Sequence, residues 1–222
     1  MELTKQQVLQ LHNYIYVSGI KYYDIRTELV DHFANILEQR LDENPDLNFK
    51  REIEVIHKNF SNKGFSKLLK QKTKAVTYKF FKQSLYNLLS FFKIPKILIT
   101  ALLFIVLFKA QFLFSKIENF FLSLFLFAVL LMFISAYKAK ERNKQEPFLS
   151  LSLTLGFMQV FHILVMMLQF SYSRSLESLA NTTHNTLFIG CFMLLYLFFW
   201  SGEYVYQQNK LAVKEQYPNI LI

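Results

Sequence analysis

The sequence predicts an all-α protein: a small cytosolic helical domain, a basic amphipathic juxtamembrane helix and a four-helix transmembrane bundle. Three observations carry that expectation. Apolar residues pile up after residue 94 into four runs of membrane-spanning length. Ten of the 16 acidic residues lie before residue 55, so a soluble region precedes the apolar one. Between them, residues 63–96 carry nine Lys and no Asp or Glu, interleaved with Phe, Leu and Tyr, a pattern that binds acidic lipid on one face and buries another.

The first region, residues 1–62, reads as three helices. Residues 4–18 pair Thr4 and Gln7 at capping-box spacing and set Val8, Leu11 and Ile15 on one face, with Gly19 as the stop. A second helix is expected from Asp24, as its N-cap, to Asp42, with the apolar stripe Ile25, Leu29, Phe33, Ile36, Leu37 and Leu41. Asn44-Pro45-Asp46 ends it, and Phe49, Ile53, Ile56 and Phe60 mark a third. About 60 residues bury little surface, so this domain is expected to lean on the helix that follows or on a partner.

Glu28-Leu29-Val30-Asp31-His32 in the longer second helix, the third helix ending at Phe60, and Lys63-Gly64-Phe65 before a basic lead into apolar segments together resemble the HAAS-type signalling domain. That likeness covers roughly residues 4–75, and departs from the family pattern at Asn44-Pro45 and Lys63-Gly64. The resemblance implies a cytosolic module placed before transmembrane helices, and a protein partner that is either a PadR-like regulator or a membrane complex with this chain as accessory subunit. The docking residues expected on that basis are Glu28, Asp31 and His32.

Residues 63–96 follow as a linker helix. Val76, Phe80, Phe81, Leu85, Leu88, Leu89 and Phe92 favour one side, and Lys67, Lys70, Lys72, Lys74, Lys79 and Lys82 are expected on anionic phospholipid. Pro95 separates this lever from the first span. Spans are expected at 97–114, 117–137, 148–170 and 186–206, near the ~20 residues that crossing requires, with a cytosolic tail at 207–222. The first 30 residues hold no apolar core of a cleavable signal peptide. Lys138, Lys140, Arg142 and Lys144 crowd the loop between the second and third spans, whereas the opposite side has Lys116 and Arg174 with Lys109 nearby. The charge bias is expected to place both termini in the cytoplasm, and the HAAS resemblance implies a bacterial inner membrane.

Polar residues inside a span are costly unless they face other helices or water. Gln159, His162, Met166 and Gln169 share one face of the third span, either as a solute or proton path, with possible homo-oligomers enclosing it, or as hydrogen-bonding glue between helices. Met158, His162 and Met166, with Cys191 and Met193 on the fourth span, are too sparse a set for a soft-metal site, and no metal or cofactor is expected. Lys109 is read as snorkelling, and Glu203 as an interfacial charge near Lys138 or Lys140. His12, Glu28, His32 and His57 make chemistry only if they converge. The chain has no Gly-rich phosphate loop, HExxH or GxSxG, so it is not expected to be an enzyme. The net charge of +9 sits beside apolar segments, which favours lipid and argues against direct nucleic-acid binding.

Overall fold

The computed structural model describes residues 2–60, 64–142 and 146–220; Lys63 and Lys144 lie outside them. All regular structure among the described residues is helical. The chain forms two compact units, Met1–Thr77 with Glu146–Ser152, and Tyr78–Gln145 with Leu153–Ile222. The first therefore reaches past residue 62 and takes in a segment from far along the chain.

In the first unit, α1 (Lys5–Val17) opens on the expected capping box: Gln7 N donates to Thr4 Oγ1, and Thr4 N to Gln7 Oε1. Gly19 turns the chain at φ +102°, a conformation that an L side chain rarely adopts. The second helix, α2 (Tyr23–Glu43), starts without a side-chain cap at Tyr22. Asp24 is thus not its N-cap, as the sequence suggested, but sits within its first turn, where its carboxylate has another task. With α3 (Phe49–Phe60), these helices bury Leu11, Ile15, Leu29, Phe33, Leu37, Ile53 and Ile56. Arg40 to Glu52, 2.6 Å, and Tyr14 Oη to His57 Nδ1, 2.8 Å, stitch α3 to its neighbours.

Three short stripes cannot close a core alone, and two further segments complete it. The first is Phe65 at the start of α4 (Gly64–Ser90), buried with its ring 5.7 Å from Phe33 and stacked 4.3 Å from His57. The second is Phe148, Leu149 and Leu151, also buried. The lever's first turn is therefore part of the helical domain's core.

The second unit holds α5 (Lys96–Ala110), a short 3-10 turn (Gln111–Leu113), α6 (Ile117–Arg142), most of α7 (Leu149–Ser173), α8 (Leu176–Ala180) and α9 (Thr182–Gln216). Among the described residues, four helices are long and apolar enough to cross a membrane: Lys96–Leu113, Ile117–Lys138, Leu149–Ser173 and Thr182–Gln216. Leu98, Ile99 and Leu102 are exposed on the first of these, as lipid contact requires. The expected tail at 207–222 is helical as far as Gln216, as a continuation of α9. Phe120, Phe121, Leu124, Val165, Ile189 and Phe192 form an aromatic-rich core among α6, α7 and α9. Lipid is as apolar as Leu, so packing rather than exclusion from water holds such a core together.

The second half of α4 belongs to this unit. Phe80 and Ser84 are buried, with Phe80 5.6 Å from Phe157 and Phe81 5.7 Å from Phe198. Gly202 permits the approach, since a Cβ there would stand 3.3 Å from the tip of Phe80. The buried seam is narrower than the sequence stripe: Phe81, Leu85, Leu89 and Phe92 remain exposed. Beyond Ser90 the chain turns, and α5 begins at Lys96 behind Pro95.

Candidate functional site: a clasp on the first turn of the third span

The start of α7 lacks a local cap. The sequence there reads Glu146-Pro147-Phe148-Leu149, and Phe148 has no side-chain acceptor for the free N–H groups of a first helical turn. The acceptor comes from α2, more than 120 residues away. Leu149 N donates to Asp24 Oδ1 at 3.0 Å, and Ile25 N donates to the same oxygen at 3.1 Å. One backbone bond runs parallel to it, from Tyr23 N to Pro147 O at 2.8 Å. An ion pair of 3.3 Å joins Arg26 Nη2 to Glu146 Oε2, and the Arg26 guanidinium lies 5.3 Å from the ring centres of both Tyr16 and Tyr23. Phe148 packs 5.5 Å from Tyr23. These contacts grip residues 146–149 on every chemical channel: backbone, carboxylate, ion pair and ring.

Burial pushes the Asp24 carboxyl up from its ordinary value, against the pull of the backbone N–H groups of Leu149, Ile25 and Ser150. His12, stacked 6.4 Å from Tyr23, is held below its ordinary value by burial and then by the Arg26 charge, with Asp31 opposing. Burial likewise raises Tyr14.

The expected docking residues Glu28, Asp31 and His32 are exposed on α2. Glu28 is bonded to Lys72, with Nζ 2.6 Å from Oε1 and 2.8 Å from Oε2, so one member of the docking set and one of the lipid set hold each other. Lys67, Lys70, Lys74, Lys79 and Lys82 are exposed, whereas Lys72 is half-buried. His57 serves Tyr14 and Phe65, and His12 serves Tyr23, so these two histidines sit at separate packing points. Among the described residues no three His, Cys, Asp or Glu side chains gather around one point.

The polar face of the third span divides in two. Gln169 is fully buried and donates to Phe121 O at 3.1 Å. His162 is fully buried, with Nε2 3.4 Å from Ser135 Oγ and its ring 4.2 Å from that of Phe199. Gln159 lines a crevice of about 10 Å³ with Ser135, Lys138, Met158 and Glu203, room for roughly one water. Met166 is half-buried, and Cys191 is exposed. Two buried atoms lack a hydrogen-bond partner here, His162 Nδ1 and Tyr196 Oη, on rings whose centres lie 6.3 Å apart. Ser135 and Tyr196 lie on other helices, and no spacing rule ties them to His162. The clasp residues Arg26 and Glu146 were equally hidden, although a helix start without its own cap at Pro147-Phe148 signals that a cap must come from elsewhere.

No family model matches the chain, and neither a curated protein nor a solved structure matches it. What fold and site define is an integral membrane protein, helical among the described residues, with four helices long and apolar enough to span and an N-terminal helical unit that includes the first turn of the third.

Proposed function

We propose that the chain is an integral membrane adaptor, a regulatory or accessory subunit whose N-terminal helical domain docks a protein partner. In this reading both termini are cytoplasmic, the membrane is a bacterial inner membrane, and the exposed lysines of α4 rest on anionic phospholipid. The HAAS resemblance supports a PadR-like regulator or a membrane complex as the partner. The observation that carries the proposal is the clasp: Asp24 caps a membrane-spanning helix from within the domain that would bind the partner. Docking at Glu28, Asp31 and His32, on the helix that carries Asp24 and Arg26, then bears directly on the α7 entry.

The test is crosslinking in native membranes followed by mild-detergent purification of the full chain and of an Asp31→Arg/His32→Glu variant. The adaptor reading expects a stoichiometric partner that the variant loses while its own melting point holds. Identical crosslinked species from both would refute it.

One observation favours a second reading, a small oligomeric transporter or channel. Ser135 lines the Lys138–Glu203 crevice and lies 3.4 Å from buried His162, whose Nδ1 has no hydrogen-bond partner. Solute or proton flux in vesicles that His162→Leu abolishes is the outcome this reading requires.

A further inference from the structure

A groove of about 510 Å³ lies within the second unit, between the latter half of α4 and the far end of α9. Its lining has one cation, Lys82, and no acid. Four amides share the lining with that cation: Gln83, Asn87, Gln208 and Asn209. Two phenol rings, Tyr86 and Tyr204, and Val205 complete the wall, and Lys93 stands with its ammonium 5.8 Å from the Tyr86 ring centre. Among the described residues Lys82 makes no ion pair.

The chemistry of this lining is selective. An ammonium without a competing carboxylate suits a single phosphodiester charge. Four side-chain amides, each with donors and an acceptor, suit neutral hydroxyls rather than a second charge. Phenol rings beside the apolar run of α9 suit the depth at which head groups meet hydrocarbon. Leu85 and Leu89 of the same α4 are exposed, 43% and 53%, and offer apolar surface to acyl chains next to the groove's helix.

We infer that this groove binds the head group of an anionic, hydroxyl-bearing glycerophospholipid, with Lys82 on the phosphate and the amides on the glycerol hydroxyls. The inference rests on the chain being an integral membrane protein and is independent of partner docking, so either can fail alone. It also separates Lys82 from Lys67, Lys70 and Lys74, which attract any anionic surface alike.

The test uses the full chain in mild detergent, with bound lipid read by native mass spectrometry after titration with phosphatidylglycerol or phosphatidylserine. Two amide bonds to hydroxyls predict about tenfold preference for phosphatidylglycerol. Lys82→Gln/Gln208→Leu should abolish that preference, whereas Lys67→Gln/Lys70→Gln should weaken both lipids equally and keep it. A second double variant, Asn87→Leu/Asn209→Leu, is expected to act as the first does, and each variant's melting point verifies its fold. Equal retention of the two lipids by the unaltered protein, or a preference that survives both groove variants, would overturn the inference. So would binding of soluble glycerol phosphate as tight as that of the lipid.

Discussion

Asp24 does two opposed things at once. Its carboxylate accepts backbone N–H groups that favour the charged form, while burial disfavours it, and burial prevails. A folded-state pKa above the unfolded value of 3.8 means that the folded domain binds the proton more tightly there. Stability contributed by this group is greatest at low pH and declines as pH rises through the folded pKa. His12 works the other way: lowered from 6.5, it contributes stability that is present above that value and is lost as pH falls below it. Melting of the domain in the full chain should therefore weaken on acidification below about 6.5 and recover in the carboxylate range. His12→Gln is expected to remove the first effect and Asp24→Asn the second, because Asn keeps an acceptor for Leu149 N without a charge. Asp24→Ala removes the acceptor as well, and a lost helix cap of this kind costs about 1 kcal/mol.

Helices and their faces explain which parts of this arrangement can be read from the residues in order. The capping box at Thr4, the stripes of α1 to α3 and the four apolar runs are local periodicities, and each falls on a helix. Asp24 misleads because it precedes an apolar stripe and so resembles an N-cap of α2, when it is needed 125 positions later. The spacing of Gln159, His162 and Gln169 fixes their common face. It carries no information on Ser135, Phe121 or Tyr196, which reach that face through packing between helices.

Two substitutions test elements rather than residues. Phe65→Ala empties a buried site shared with Phe33 and His57, and a loss of about 3 kcal/mol or more in domain stability is expected from the cavity. Gly202→Leu places a Cβ 3.3 Å from the tip of Phe80, closer than ordinary van der Waals contact, with a bulky side chain beyond it. Residues 78–90 should then become accessible to protease while the N-terminal domain keeps its melting point.

At the scale of the molecule, two long helices tie the units through the chain itself: α4 and α7 each begin in the first unit and continue into the second. A domain of three short helices is closed by the first residues of both, so its integrity and the seating of those helix starts are one property. In the proposed adaptor reading, a partner that loosens or tightens the domain would act on α7 without further machinery. The proposed topology predicts that a fluorescent protein fused after Ile220, which matures only in the cytoplasm, will be bright. The same fusion made with alkaline phosphatase should be inactive.

The clasp is the claim on which the rest depends, and amide hydrogen exchange in the full chain in lipid nanodiscs reads it directly. Leu149 N–H and its neighbours in the first turn of α7 should be protected in the unaltered protein and exchange about fivefold faster in Asp24→Ala, the equivalent of a cap worth ~1 kcal/mol. Asp24→Asn should keep most of the protection. Exchange at residues 149–151 that is indifferent to residue 24 would contradict the clasp, and with it the coupling of the N-terminal domain to the third span.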